Sequence, residues 1–428
     1  MPAATLSPFD AAAILIVLAA ALGYLNHRFV RLPAAVGMTT MGALASMLVV
    51  GFDYLLPGVD LSGRVVAFLA GIDFHTTLMD GMLSFLLFAG ALHVDWREMR
   101  RGRWPILILS TIGVLLSTLI VGFGFWGIAA LFGFALPPIW FFLFGALISP
   151  TDPVAVLGVM KRAGVPPTLQ ATVAGESLFN DGIGVVVFAI LLSGASGAEP
   201  LSLGHAVWAF LIEAGGGVLL GLIVGWIGFR AMQSIDEHNV ELMISLAIVM
   251  GGYRLAGQLH VSGPVAMAVA GLLIGNAGIA LAMSDRTRDY MLKFWELIDN
   301  LLNAILFLLI GLEVIAIGFD FRLIVAGVLA IPLVLGARLL SVGAPLFAMR
   351  SLISLGEPAL RTLIWGGLRG GISIALALSL PVGPGQTIVL AATYMVVLFS
   401  VIVQGGSIGS VVAGVPRRKR RDDAKPGG

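Results

Sequence analysis

Long apolar stretches dominate the chain, and polar residues gather in short intervals between them. A bilayer-spanning helix needs about 20 predominantly apolar residues, and runs of that length recur from end to end. The first lies near 9–27 and the second at 33–51. A short apolar piece at 65–71 precedes the third, at 75–95. The fourth covers 105–131, the fifth 138–160 and the sixth 167–193. The seventh is 204–232, the eighth 238–257 and the ninth 262–283. The tenth runs 291–317, the eleventh 322–348, the twelfth 359–380 and the thirteenth 387–412. The pattern predicts an all-α polytopic membrane protein with thirteen transmembrane helices. Residues 1–415 then form a single transmembrane domain. The tail 416–428, PRRKRRDDAKPGG, is short, basic and expected to be disordered. No Lys or Arg precedes the first apolar run, which argues against a cleaved signal peptide.

Charge placement orients the helices. With thirteen spans the termini face opposite sides. With the basic tail in the cytoplasm, the cytoplasmic loops hold Arg28, Arg31, Arg97, Arg100, Arg101, Arg103, Lys161, Arg162, Arg230, Arg286, Arg288, Lys293, Arg350 and Arg361. Arg64, Arg254 and Arg322 fall outside, and Arg338 and Arg369 sit mid-span. Inner loops rich in Lys and Arg fit an N-terminus outside and a C-terminus inside. An odd count also permits two inverted six-helix repeats, spans 1–6 and 8–13, around a linker helix. Their fifth members, spans 5 and 12, both carry interruptions, as discontinuous crossing helices would: SPTDP (149–153) and GGLRGG (366–371).

Composition agrees and excludes other classes. Hydrophobic residues make up 58% and charged residues 11% of 428, with a mean hydropathy of +1.01. There are no cysteines, so no disulfide, thiol catalysis or Cys-based metal site is possible. The six histidines have no ligand-like spacing, and a net charge of +1 gives no case for nucleic acid. No resident cofactor and no soluble substrate are expected; the surroundings are membrane lipid.

The chemistry concentrates between Ser149 and Asp181. Buried carboxylates are costly in a bilayer and are usually retained for a purpose, and this stretch holds Asp152, Glu176 and Asp181. Pro150 and Pro153 lack backbone donors, so the helical ladder fails around Thr151 and Asp152. Freed carbonyls beside a carboxylate suit a small hard cation; a plain proline kink is the competing reading. In GESLFNDG (175–182), Glu176 and Asn180 are four residues apart, as are Ser177 and Asp181. Their adjoining stripes form one polar strip facing inward. Asp181 can complete a cation site with Asp152 and Ser177; a structural polar seam is the alternative. Buried arginines cannot shed their charge and need carboxylate partners. Glu176 is assigned to Arg338 as a structural ion pair, while Arg369, flanked by glycines, supports the helix break by reaching unwound carbonyls. Two arginines against three carboxylates leave one negative charge, enough for one monovalent cation or one proton. A proton or Na⁺ (or Li⁺) relieves the repulsion between two nearby acids equally well, and each expels the other. Such competition, with alternating access, suffices for antiport. Asp80, Glu213, Glu296, Asp299 and Asn303 read first as helix-packing groups. Trp96, Trp104 and Trp140 read as interfacial anchors.

SPTDPVAV, GESLFNDG and GLRGGISIALAL, with HVSGPVAMAVAGLLIGN (260–276), FWELIDNLLNAILFLLIGLE (294–313) and SVIVQGG (400–406), closely resemble the monovalent cation:proton antiporters of the bacterial NhaP and animal Na⁺/H⁺ exchanger branch. The resemblance runs in order through nearly the whole chain. It implies a homodimer of thirteen-helix protomers. In each, a core domain from spans at about 105–193 and 322–412 moves against a dimerisation domain from spans at about 9–95 and 204–317. It implies that Asp152, Ser177, Asp181 and the backbone oxygen of Thr151 hold the cation, and that Glu176 pairs with Arg338. Asparagine at position 180 marks the electroneutral branch, one cation for one proton. Unlike in the animal relatives, no regulatory cytoplasmic domain is expected, which implies a bacterial inner-membrane protein whose control falls to pH and ion competition, in keeping with a role in pH homeostasis. K⁺/H⁺ exchange on the same scaffold and, less favourably, a cation channel are the alternatives. A membrane enzyme is disfavoured because no nucleophile–His pair or metal-ligand cluster lies within the spans.

Overall fold

The computed structural model describes residues 8–55, 61–72, 74–196, 202–313, 320–349 and 357–413. The basic tail and Arg350 lie outside them. Among the described residues eleven helices are long and apolar enough to cross a membrane. In chain order these and the shorter helices around them are α1 (Phe9–Val30), α2 (Ala34–Asp53), α3 (Phe74–Leu92) and α4 (Arg103–Leu131). Two short helices, α5 (Ile139–Ile148) and α6 (Val154–Ala163), come next. They precede α7 (Pro167–Ala195), α8 (Gly204–Gln233), α9 (His238–Gln258), α10 (Gly263–Leu281), α11 (Asp285–Leu312) and α12 (Phe321–Ala348). A second short pair, α13 (Glu357–Trp365) and α14 (Gly371–Leu378), leads into α15 (Pro384–Val412). The architecture is thus an all-helical polytopic membrane fold. The apolar piece expected at 65–71 lies within a helix over Leu61–Ile72. The tenth span starts earlier than expected, because Ser284 caps the N-terminus of α11 by accepting from Thr287 N.

The two pairs of short helices are single apolar stretches interrupted once. α5 stops at Ile148, immediately before Pro150, and α6 resumes after Pro153. α13 stops at Trp365 and α14 resumes at Gly371. The interruptions lie against each other, and Asp152 N donates to Leu368 O at 2.8 Å in an isolated antiparallel bridge.

The helices pack in two sets. α4, α5, α7, α12, α14 and α15 pack on one another, and so do α2, α3 and α8–α11. One apolar cluster, with Phe88, Met267, Met291 and Trp295, belongs wholly to the second set. Another, with Leu109, Met160, Leu346 and Ile408, draws on α4, α6, α7, α12, α13 and α15, and a third spans both sets, from Met38, Leu87 and Leu306 to Phe144, Val334 and Ile374. Within the second set, hydroxyls on α2 bond to carbonyls of α11. Thr39 Oγ1 donates to Phe307 O at 3.1 Å, and Ser46 Oγ to Leu312 O at 2.8 Å. Such polar contacts and close approach hold helices together where lipid removes the hydrophobic drive between them.

Candidate functional site: two helix breaks at the boundary of the helix sets

An unwound backbone at membrane depth must have its polar groups satisfied from within the protein. Both breaks here meet that demand, the first with side chains from the second break and from α7, the second with side chains from α12 and α15. Arg369 Nη1 donates to Ser149 O and, at 2.9 Å, to Pro150 O, so its guanidinium sits on the carbonyl end of α5. Thr151 N donates to Asn180 Oδ1 at 3.2 Å, and Asn180 Nδ2 donates to Thr151 Oγ1 at 2.8 Å. Thr151 Oγ1 and Ser177 Oγ are 3.0 Å apart in a shared hydrogen bond. Val154 N donates to Asp152 Oδ1 at 2.9 Å, so Asp152 caps the start of α6. On the other break, Arg338 Nη2 donates to Leu363 O at 2.8 Å. Arg369 N donates to Ser400 Oγ at 2.8 Å, Ser400 Oγ donates to Gln404 Oε1, and Gln404 Nε2 donates to Trp365 O. Ser400 and Gln404 sit in a widened helical turn, Ser400–Gln404, inside α15.

The three carboxylates stand in different surroundings. Glu176 is buried and bidentate with Arg338: Nη1 to Oε1 is 2.5 Å and Nη2 to Oε2 is 3.0 Å. That is the geometry in which guanidinium and carboxylate match best. Asp181, one and a half turns further along α7, makes no hydrogen bond or ion pair among the described residues. Asp152 is half-buried and bonds only to backbone. A Cβ added at Gly370 would come 2.7 Å from Asp152 Oδ2, so only glycine lets the second break approach that carboxylate so closely.

Asp152 and Asp181 line one cavity of about 480 Å³. Its first wall comes from the first helix set, with Thr151, Leu178, Gly370 and Ser373. Its other wall comes from α3 and α11, with Leu87, His93, Asp299 and Asn303. It reaches the exposed residues His93, Lys161 and Glu296. At the far end the sets touch: His75 Nδ1 lies 2.9 Å from Ala375 O, and Tyr394 Oη donates to Glu313 Oε2 at 3.2 Å.

The structure therefore gathers Thr151, Asp152, Ser177, Asn180 and Asp181 about one break, and holds Glu176, Arg338 and Arg369 behind it. It departs from the sequence reading on α11. Glu296, Asp299 and Asn303, read as packing groups, line the cavity, and Asn303 Nδ2 donates to Asp299 Oδ1 at 3.0 Å. The signal was present as a polar stripe at 296, 299, 300 and 303, one face of a helix. Ser373, in GISIALAL, is a further lining residue, and its hydroxyl has no hydrogen-bond partner among the described residues. Glu213 lies half-buried in α8, and the side chain of Asp80 is outside the described residues.

Residues 15–414 match the family described as sodium/hydrogen exchanger, transmembrane. The chain is 47% identical over 419 residues to the Na⁺/H⁺ antiporter NhaP of Pseudomonas aeruginosa, covering 96% of this chain and 98% of that protein. It is 36% identical over 346 residues to the Na⁺/H⁺ antiporter NhaH of Halobacillus aidingensis, covering 79% and 83%. Its fold is similar to that of the sodium proton antiporter MjNhaP1 from Methanocaldococcus jannaschii, at a TM-score of 0.67 and 21% identity, covering 89% of this chain and 98% of that one. With the match running through both helix breaks and nearly the whole chain, this protein is a multi-pass membrane protein of the sodium/hydrogen exchanger family.

Proposed function

We propose that the protein exchanges Na⁺ (or Li⁺) for H⁺, one for one, by competition at Asp152 and Asp181. The observation that carries the proposal is that these two carboxylates, alone among the three at the breaks, lack a basic partner and face a cavity on the boundary between two helix sets. With Arg338 set against Glu176 and Arg369 on the α5 carbonyls, the five charged side chains sum to one negative charge. One proton or one monovalent cation neutralises it, and neither binds well beside the other. Ser177 and Thr151 supply neutral oxygens. Asn180 in place of an acid keeps the sum at one charge, which favours electroneutral exchange. Named Na⁺/H⁺ antiporters among the relatives support Na⁺ over K⁺.

Alternating access follows if the first helix set is a mobile core and the second a scaffold in a homodimer. Helices within each set pack on one another, and the cavity opens along the boundary between the sets, which supports two bodies. Counting each interrupted pair as one crossing gives thirteen spans, with spans 5 and 12 crossing at their breaks as members of inverted repeats. The cavity opens at the end that bears Lys161 and Arg162, the cytoplasmic side by the charge rule. Together with the contacts of His75 and Glu313 at the opposite end, this corresponds to an inward-open state.

Everted vesicles loaded with a pH-sensitive dye test the proposal. Na⁺ or Li⁺ should dissipate an imposed pH gradient, and the rate should survive voltage clamping with valinomycin and K⁺. Asp181→Asn should abolish exchange in protein that inserts normally. Substantial exchange by that variant would overturn the site, and equal response to K⁺ alone would overturn the ion.

A further inference from the structure

The segment that follows α3 and enters the first turn of α4 carries four arginines within seven residues, bracketed by tryptophans: Trp96, Arg97, Arg100, Arg101, Arg103 and Trp104. They surround a surface cavity of about 480 Å³, separate from the one at the breaks. Arg101 is paired with Glu98 at 2.7 Å. Arg97 and Arg100 are exposed and have no partner among the described residues, and Arg103 only stacks over Trp104, 5.5 Å from its ring centroid. Buried Met99 and the capping carboxylate of Asp95, which accepts from Arg97 N at 2.7 Å, fix the short helix Trp96–Arg101 so that its cationic face stays outward.

We propose that this cavity binds the phosphate headgroup of an anionic phospholipid. Guanidinium groups bind phosphate through paired N–H donors, and tryptophans mark the headgroup depth of a bilayer. Basic clusters at the mouth of a transmembrane helix recognise acidic lipids. The continuation into α4 selects a lipid over a soluble anion. Trp104, Leu107 and Leu115 follow one helical face, and all three are exposed. That face gives acyl chains a path into the membrane directly beneath the headgroup.

The segment also joins the two helix sets. Trp96 N donates to Asn276 Oδ1 on α10 at 2.8 Å, and Asn276 Nδ2 donates to Val94 O at 3.0 Å. Its other end is held to α7: Thr168 Oγ1 donates to Glu98 Oε2, and a Cβ at Gly102 would meet Thr172 Oγ1. A lipid seated there touches the joint between the sets. The binding site stands on the geometry of this segment and does not depend on which ion the protein carries.

Thermal unfolding of the purified full chain in neutral detergent tests the site, with short-chain phosphatidylglycerol, short-chain phosphatidylcholine or inorganic phosphate as probes. Phosphatidylglycerol should stabilise the wild type and the charge-matched control Arg286→Gln/Arg288→Gln. Its apparent affinity for Arg97→Gln/Arg100→Gln should fall by about tenfold or more. Arg97→Lys/Arg100→Lys, which keeps the charge without the fork, should fall between and guards against a folding defect in the Gln pair. Equal stabilisation of both Gln pairs would reduce the arginines to a topology signal and overturn the proposal. So would an inorganic-phosphate response matching that of phosphatidylglycerol, or no response of the wild type to the lipid.

Discussion

The breaks at 149–153 and 366–370 perform the same structural task by opposite means. The first is imposed. Pro150 and Pro153 have no N–H to offer and each crowds the preceding turn, so two of them three residues apart break the helix at SPTDP, where the single Pro332 and Pro345 leave α12 continuous. The second is permitted. GGLRGG contains no residue that forbids a helix; its glycines merely remove the side chains that would prevent another backbone from approaching. The imposed break carries an acid, Asp152, and the permitted one a base, Arg369. Each first half-helix ends on a guanidinium, Arg369 for α5 and Arg338 for α13, where the carbonyl end of a helix favours positive charge. The neutralisation differs. Arg338 is matched by Glu176, whereas no ion pair among the described residues involves Arg369. The consequence is a scaffold that is charge-neutral on one side of the crossing and held open to exchange on the other.

The largest effect should come from unbalancing the neutral side. Arg338→Ala strands buried Glu176 and frees Leu363 O, and removing one partner of a buried ion pair costs about 3–5 kcal/mol. The variant should lose most of its folded yield and thermal stability in detergent. Arg338→Met combined with Glu176→Gln should recover much of that stability, because no charge is left unpaired. If Arg338→Ala is as stable as the wild type, the pair is not what holds α13 in place.

The same contrast sets how much was legible beforehand. The proline break announced itself, since proline's lack of a donor is a property of one residue. So did the strip on α7, since helical spacing alone puts Glu176, Ser177, Asn180 and Asp181 side by side. The glycine break was visible as composition only. The groups that complete it, Ser400 and Gln404, lie some thirty residues on and meet it through a widened turn that no local pattern marks. The polar residues of α11 are legible one by one, but not as a cavity wall, for a related reason. Asp299 and Asn303 look like any polar pair on a helix until α11 is seen facing Asp152 across the boundary between the sets.

The permitted break can be tested by a single methyl group. Gly370 has φ −128° and ψ −158°, a conformation alanine adopts freely. Strain is therefore not the issue, and the contact with Asp152 Oδ2 at 2.7 Å is. Gly370→Ala should insert and fold normally while its Na⁺-dependent exchange falls by roughly tenfold or more, about 1.4 kcal/mol. Gly406→Ala, where an added Cβ meets nothing within 4 Å, is the matched control. Wild-type exchange by Gly370→Ala would show that the second break need not approach Asp152 so closely.

The effect on exchange that should be smallest, because most of the loss falls on stability, belongs to Asn180, and it separates charge from position. Counting charges makes it a neutral spacer, whose loss should be mild. The structure gives it both ends of Thr151, the N–H and the hydroxyl. Asn180→Ala leaves that buried N–H without an acceptor, a loss of about 1–3 kcal/mol, and should loosen the first break enough to weaken the apparent affinity for Na⁺. Asn180→Asp keeps an acceptor for the Thr151 N–H and can accept from its hydroxyl, so the clamp survives while the site gains a negative charge. In proteoliposomes under an imposed potential, Asn180→Asp should hold its stability and acquire a voltage-dependent rate. Asn180→Ala should lose affinity and stay voltage-independent. If both variants lose affinity equally and neither responds to voltage, the clamp is real and the charge count at position 180 does not set stoichiometry. If neither loses affinity, the hydrogen bonds to Thr151 do not position the site.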